Sequence, residues 1–225
     1  PKLIANPRPM TVVTYREMRE LSYAGFNVYQ EEALLPVFKT GIPVNIRNVN
    51  NPSCPGTMIV YDKEQLQESR RVAGIACDSG FTSIYVSKYL MNREIGFGRK
   101  LLQILEEEGI SYEHSPTGID DMTVIVRDSM LSEEKLARIE RRVYDELGAD
   151  DVQIESGLSL IVVVGEGMKH SIGLAAMATQ ALSQAEVNIS MISQGSSEVS
   201  MVFAVKSEDK DRGVRALYET IFVHA

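Results

Sequence analysis

Two loops of the sequence combine glycine with a predicted helix start, and carboxylates surround the first of them. Residues 88–98 lead from an apolar segment into a helix, and residues 165–173 do the same further along the chain. Free backbone N–H groups at a helix start attract a carboxylate, and glycine lets a ligand approach the backbone closely. Four acids flank the first loop: Glu94, Glu113, Asp120 and Asp121. This pattern favours a zwitterionic ligand; the alternative is that the loops only connect elements and the acids form a solvated rim.

Metal chemistry and nucleic-acid binding find little support in the sequence. His114, His170 and His224 are scattered without the spacing of metal ligands, and neither Cys54 nor Cys77 supplies that spacing, so we predict no metal site. The net charge of −8, from 23 basic and 31 acidic residues, repels a phosphate backbone. Nucleic acid is therefore not an expected partner.

The composition is that of an ordinary globular chain, with 44% hydrophobic and 24% charged residues. A length of 225 residues allows one large domain or two small ones. The longest apolar runs, at residues 158–165 and 201–205, are far shorter than the ~18–20 residues that cross a membrane, so no membrane partner is expected. Two cysteines in a chain this long are typical of reduced thiols, which favours a cytoplasmic location.

Residues 1–61 predict a small α/β piece of a larger domain. Thr14-Tyr15-Arg16-Glu17 has the pattern of a capping box and predicts a helix start. A second short helix is predicted over residues 31–39, and short strands over residues 44–47 and 57–61. So few elements cannot close a good core by themselves. The polar and charged residues 62–71 that follow are predicted to be a linker.

The remainder of the chain contains an internal repeat. Ile95-Gly96-Phe97-Gly98 matches Ile172-Gly173-Leu174-Ala175 at an offset of 77 residues. Each repeat has the order β-α-β-β-α-β, which predicts an α+β protein with tandem ferredoxin-like domains. The second repeat lacks its last strand, and the segment before the first repeat supplies one strand too many. We therefore predict that a first domain, residues 80–155, is inserted into a second, made of residues 72–79 and 156–225, with a turn at residues 78–80.

Several strings resemble aspartokinases. The helix that starts after Thr14 resembles a late helix of their catalytic domain, and residues 42–57 resemble its closing strand and loop. Residues 81–84, 96–98 and 118–120 resemble the first ACT unit of that family. The most specific string, which resembles the second ACT unit, is Asn188-Ile189-Ser190-Met191-Ile192-Ser193-Gln194-Gly195-Ser196-Ser197-Glu198. The resemblance implies the tail of an amino acid kinase domain, an α/β remnant, followed by two ACT regulatory domains.

The resemblance to aspartokinases also implies a function. These enzymes phosphorylate L-aspartate with ATP, the first step of lysine, threonine and methionine biosynthesis, and the chain would be their regulatory portion, binding a feedback amino acid. ATP and Mg²⁺ would serve the full-length enzyme, and no cofactor is expected in this chain. The chain alone is expected to be inactive, because the phosphate-binding segment of the kinase is absent from its sequence. The alternative is a stand-alone ACT regulatory subunit without kinase activity.

Site residues follow from the resemblance as well. Arg8 matches the end of a nucleotide-binding stretch that usually reads Asp-Pro-Arg. ACT units of the family pair across a dimer, so a homodimer through these domains is expected. Glu113 and Asp120 would bind the two ammonium groups of lysine, which makes lysine the expected effector and threonine the second choice. The full effector set carried over from the first ACT unit is Met91, Asn92, Phe97, Gly98, Ser111, Tyr112, Glu113 and Asp120.

Overall fold

The computed structural model of the chain describes residues 3–26, 35–61, 70–169 and 171–223. It divides into two compact units. Unit 1 joins Pro1–Asp78 to Leu160–Ala225, and unit 2 is the uninterrupted stretch Ser79–Ser159. Most of the predicted linker, residues 62–69, and part of the predicted second helix, residues 31–34, lie outside the described residues.

The amino-terminal part of unit 1 is a three-stranded sheet with a helix packed on it. Its strand order is β1-β3-β2, with β1 and β3 parallel and β2 antiparallel to β3. Thr14 and Glu17 form the predicted capping box, in which each side chain accepts a hydrogen bond from the other residue's backbone N–H. The elements are β1 (Val12–Thr14), α1 (Tyr15–Tyr23), α2 (Leu35–Thr40), β2 (Val44–Ile46) and β3 (Thr57–Val60).

Unit 2 has the predicted β-α-β-β-α-β order. Its sheet runs β5-β6-β4-β7, and β4 pairs antiparallel with β6 from Phe81 opposite Arg127 to Ser87 opposite Asp121. The apolar stripes of its two helices pack together in one core, with Leu101 and Ile104 from α3 and Ile139 from α4. The elements are β4 (Gly74–Ser87), α3 (Phe97–Glu107), β5 (Tyr112–His114), β6 (Asp121–Arg127), α4 (Glu133–Leu147) and β7 (Asp151–Val164).

The carboxyl-terminal part of unit 1 repeats this architecture. Its strands are neighbours in the order β4-β7-β9-β8, where β4 contributes the residues before unit 2. Ala73 N–H donates to the Val164 carbonyl (2.7 Å), so the strand that completes this sheet comes from the segment ahead of unit 2. Phe203 and Leu217 are fully buried in its core. The elements are α5 (Leu174–Gln184), β8 (Met191–Ser193), β9 (Ser200–Lys206) and α6 (Lys210–Tyr218), followed by a π-helical turn (Glu219–Val223).

The predicted turn at residues 78–80 is wrong, because β4 runs without a break through it. The domain boundary predicted after residue 155 falls inside a continuous strand, since β7 runs from Asp151 to Val164. Gly80 and Gly157 have φ of 89° and 77°, and glycine in such a conformation can sit inside a paired strand as a local irregularity. Ser159 donates a hydrogen bond to Ser79 (Oγ–Oγ 2.9 Å) between these strands. The α+β, ferredoxin-like class itself is confirmed.

No helix within the described ranges has the length and apolar character needed to cross a membrane. Both cysteines, Cys54 and Cys77, are free thiols. Cys77 packs against the core of unit 1, and burial, the largest influence, raises the pKa of its thiol to about 12.

Cys77 should therefore resist thiol reagents in the folded chain. At pH 8 a thiol of pKa about 12 is ionised in about one molecule in 10⁴, and the thiolate is the reactive form. A titration with 5,5′-dithiobis(2-nitrobenzoic acid) should show Cys54 reacting first and Cys77 only after denaturant is added. Equal, rapid reaction of both thiols in the native chain would contradict this.

Candidate functional site

The loop between β4 and α3 ends in a helix start without a side-chain cap. Gly96 occupies the N-cap position with φ 83°, a conformation that glycine adopts without strain, and no side chain bonds the first turn of α3. Phe97 N–H donates to the Glu94 carbonyl at 3.4 Å, so the N–H groups of Gly98 and Arg99 are the ones that an N-cap side chain would otherwise bond. A Cβ on Gly98 would lie 3.5 Å from Met122 Sδ, which places this helix start beside the beginning of β6.

Glu94, one of the four acids around this loop, is bound by two lysines. Its carboxylate accepts from Lys100 Nζ at 2.8 Å and from Lys88 Nζ at 2.5 Å. Hydrogen bonds from Lys100 and then Lys88 lower the pKa of Glu94. Lys88 also donates to the Leu147 carbonyl at the end of α4 and lies over the Phe97 ring at 5.9 Å. Glu94 therefore organises the loop and has its charge neutralised within the chain.

Asp120, another of the four acids around this loop, differs from Glu94 in its hydrogen bonding. Its Oδ1 is buried and has no hydrogen-bond partner among the described residues. Its backbone carbonyl accepts from Lys88 N–H at 2.9 Å, so Asp120 adjoins the first residue of the loop. A buried carboxylate oxygen without a partner costs free energy, and a bound cation would satisfy it.

The predicted effector residues fall into two groups at opposite ends of the unit 2 sheet. Met91 and Phe97 are buried, Asn92 is exposed, and these three lie with Gly98 and Asp120 at the loop end. The second group, Ser111, Tyr112 and Glu113, lies where β6 ends, because Tyr112 pairs opposite Val126. A seven-residue strand separates the groups by about 20 Å.

Glu113 has an ion-pair partner in its own chain. Arg127 Nε lies 2.9 Å from Glu113 Oε1, and the Glu113 side chain is 6% exposed. The same guanidinium stacks over the Phe81 ring, 4.8 Å from its centroid. Glu113 and Asp120 therefore do not face one ligand within a single chain, and the role of Glu113 as an ammonium partner remains a prediction.

The second repeat carries an equivalent loop. Gly173 occupies the N-cap of α5 with φ 89° and, like its counterpart in the first repeat, offers no side-chain cap. A cavity of about 690 Å³ opens at this helix start, lined among others by Met168, Leu174 and Gln194. The residue before each N-cap glycine is an isoleucine in full contact with solvent, Ile95 at 97% and Ile172 at 95% exposure.

Comparison with known proteins settles the family. Residues 161–221 match the family model of an ACT domain. Aspartokinase 3 of Bacillus subtilis (strain 168) is 54% identical over 222 residues, which cover 99% of this chain and 48% of the relative. The chain belongs to the aspartokinase family. It spans about half the length of the curated aspartokinases that it matches.

Solved aspartokinase structures share the fold. The aspartate kinase of Clostridium acetobutylicum superposes with a TM-score of 0.90 at 38% identity, covering 98% of this chain and 51% of that one. Escherichia coli aspartokinase III in complex with lysine and aspartate (T-state) superposes with a TM-score of 0.77 at 21% identity. The match covers 99% of this chain and 48% of that one. The second likeness shows the fold alone.

Arg8, the predicted nucleotide-binding residue of this aspartokinase chain, lies beside its carboxyl-terminal helix. Its backbone N–H donates to the Tyr218 hydroxyl at 2.6 Å, and its side chain is exposed. A role in nucleotide binding remains a prediction.

Glu17 makes more contacts than the capping box that the sequence predicted. Its buried carboxylate accepts from Arg70 Nη2 at 3.0 Å and from Glu166 N–H at 2.9 Å, besides the capping-box bond to Thr14 N–H at 3.0 Å. It therefore joins helix α1, the end of the predicted linker and the loop that precedes α5. We call these contacts the Glu17 joint.

Two glycines keep the Glu17 joint tight. A Cβ on Gly167 would lie 2.0 Å from the Arg70 carbonyl oxygen, and one on Gly165 would lie 2.4 Å from that of Arg71. The capping-box pattern predicted the contact between Glu17 and Thr14. The other two contacts join Glu17 to Arg70, 53 positions away, and to Glu166, 149 positions away. No spacing rule predicts such contacts.

Proposed function

We propose that this chain is the regulatory portion of an aspartokinase and that its first ACT unit binds a feedback amino acid, lysine. The observation that carries the proposal is Asp120, whose buried Oδ1 has no hydrogen-bond partner in the described part of the chain and lies beside a helix start without a side-chain cap. Backbone N–H groups of α3 would hold the ligand carboxylate, and Asp120 would hold an ammonium.

The loop also offers a wall for the stem of lysine. Met91 and Phe97 are apolar and line the core side of the loop end, where four methylene groups could lie. Glu94 is already neutralised by Lys88 and Lys100, which leaves Asp120 and its neighbour Asp121 for the cationic groups. Lysine and aspartate are bound by the E. coli enzyme, which shares this fold, and this favours lysine over threonine.

Calorimetric titration of the chain with lysine and with threonine tests the proposal. Lysine should give a saturable heat and threonine a weaker one, because threonine has no second ammonium. Arginine, which has one methylene group fewer and a larger, planar cation, serves as the matched control and should bind more weakly than lysine. The absence of any lysine heat, or tighter binding of threonine, would show that the assignment is wrong.

We also propose that the ACT units pair in a homodimer. The outer strands of the described ferredoxin-like sheets, β5 and β8, carry half-exposed apolar side chains, Tyr112 at 49% and Ile192 at 50%. Edge strands present unpaired backbone groups that another copy can bond. Light scattering should give about twice the 25.0 kDa chain mass, and a mass of one chain at high micromolar concentration would refute the dimer.

Catalysis belongs, in this proposal, to the full-length enzyme, which would phosphorylate L-aspartate with ATP and Mg²⁺. Among the residues that the structure describes, no group of three or more His, Cys, Asp or Glu side chains could hold a metal ion. Separately from that observation, we expect the chain alone to show no aspartate-dependent turnover of ATP.

A further inference from the structure

Unit 1 contains a further cavity, which shares only Leu174 with the lining of the cavity at the start of α5. It has a volume of about 770 Å³ and lies between residues 8–11, residues 70–73, helix α5 and the carboxyl-terminal π-helical turn. This volume falls in the range of small-molecule sites, roughly 300–1,000 Å³. Asp120 and the loop proposed to bind lysine belong to unit 2, so this cavity is not part of that site.

Three arginines line the cavity: Arg8, Arg70 and Arg71. The charge of Arg70 is balanced by Glu17, yet Arg70 Nε is buried and has no hydrogen-bond partner among the described residues. No ion pair links Arg8 or Arg71 to another residue within the described ranges. In the described part of the chain, the guanidinium charges of Arg8 and Arg71 and the buried Nε–H donor of Arg70 therefore have no partner.

The part of the cavity wall formed by α5 and the carboxyl-terminal turn is apolar. Leu174 and Met177 line it from α5, and Ile221 and Phe222 line it from the carboxyl-terminal turn. Guanidinium groups bind phosphate and carboxylate oxygens in pairs, whereas methionine and phenylalanine side chains favour an apolar body. The two walls together suit a ligand with one strongly anionic end and one apolar end.

We propose that this cavity binds a small organic dianion. Its charged end lies against the guanidinium groups of Arg8, Arg70 and Arg71, and its apolar body lies against Met177 and Phe222. A phosphate monoester and a dicarboxylate share this chemistry. The occupant contacts the amino-terminal segment, the end of the predicted linker and α5 at once, so its binding stabilises unit 1.

Titration calorimetry with simple probes tests the site. Phenyl phosphate and benzylsuccinate each carry a dianionic end and a ring, inorganic phosphate has the charge alone, and benzoate has a ring with a single charge. At least one of the first two should bind ten times more tightly than both of the others, and the tighter one identifies a phosphate or a dicarboxylate source. Saturable binding of neither dianion, or equal binding of all four probes, would overturn the proposal.

Two variants separate the charged wall from the apolar one. Arg71→Met keeps the length of the stem and should weaken the preferred dianion and inorganic phosphate at least tenfold each. Met177→Gln should weaken the dianion severalfold and leave inorganic phosphate unchanged. Arg99→Met, on α3 in unit 2, is the matched control and should change neither. An equal loss in Arg99→Met would mean that only the overall charge of the chain matters, and the site would be rejected.

Discussion

Replacing Glu17 with alanine should lower the free energy of unfolding by about 3–5 kcal/mol, the usual cost of removing one partner from a buried ion pair. Glu17 is 1% exposed, and the substitution deprives Arg70 of its counter-charge. It also leaves the backbone N–H groups of Thr14 and Glu166 without their acceptor. Unfolding by urea, followed by circular dichroism, measures the change.

Two further variants show where the cost comes from. Glu17→Gln keeps an acceptor for one backbone N–H but loses the charge, and it should be intermediate in stability. Glu20→Ala, on the same helix but not buried, should change the stability by no more than about 0.5 kcal/mol. If Glu17→Ala unfolds at the same urea concentration as Glu20→Ala, the Glu17 joint contributes nothing to stability.

Replacing Asp120 with asparagine should weaken lysine about 10- to 150-fold, because a charge-assisted hydrogen bond to a charged ligand contributes about 1.5–3 kcal/mol. Asparagine keeps the shape of the side chain and removes only the charge. The free chain should not be destabilised, since the Oδ1 that changes has no partner among the described residues. Loss of ligand affinity without loss of stability is the expected signature.

Asp145→Asn is the matched control for this experiment. Asp145 lies exposed on α4 in the same unit and carries the same charge. Calorimetry should find its lysine affinity equal to that of the parent chain. If Asp120→Asn and the parent chain bind lysine with equal affinity, Asp120 is not part of the site. If Asp120→Asn instead has a lowered melting temperature, Asp120 has a structural role.

The sequence predicted those features that depend on local spacing. The Thr14–Glu17 capping box and the order of elements in both repeats follow from contacts between near neighbours and from hydrophobic period. The full length of strands β4 and β7 was not predicted, because a glycine that follows two polar residues is typical of a turn and is also allowed in a paired strand.

The site was harder to predict than the fold because it depends on register. The sequence places Glu113 and Asp120 only seven positions apart, yet the antiparallel pairing of β5 with β6 sets Glu113 beside Arg127 and leaves Asp120 at the other end of β6. Side-chain pairing across strands is invisible until the register is known. The sequence alone therefore could not show that Glu113 is neutralised by Arg127 while Asp120 is not.

The interrupted path of the chain through unit 1 has a consequence for biosynthesis. A ribosome releases Ser79–Ser159 as one continuous stretch, so unit 2 can complete its core while the rest of the chain is still being made. Unit 1 has to wait for β9 and α6, which carry Phe203 and Leu217 and are made only after unit 2. During that interval the apolar faces of its earlier segments stay uncovered. The nascent chain is then most dependent on chaperones, and slow translation of residues 160–225 would prolong that exposure.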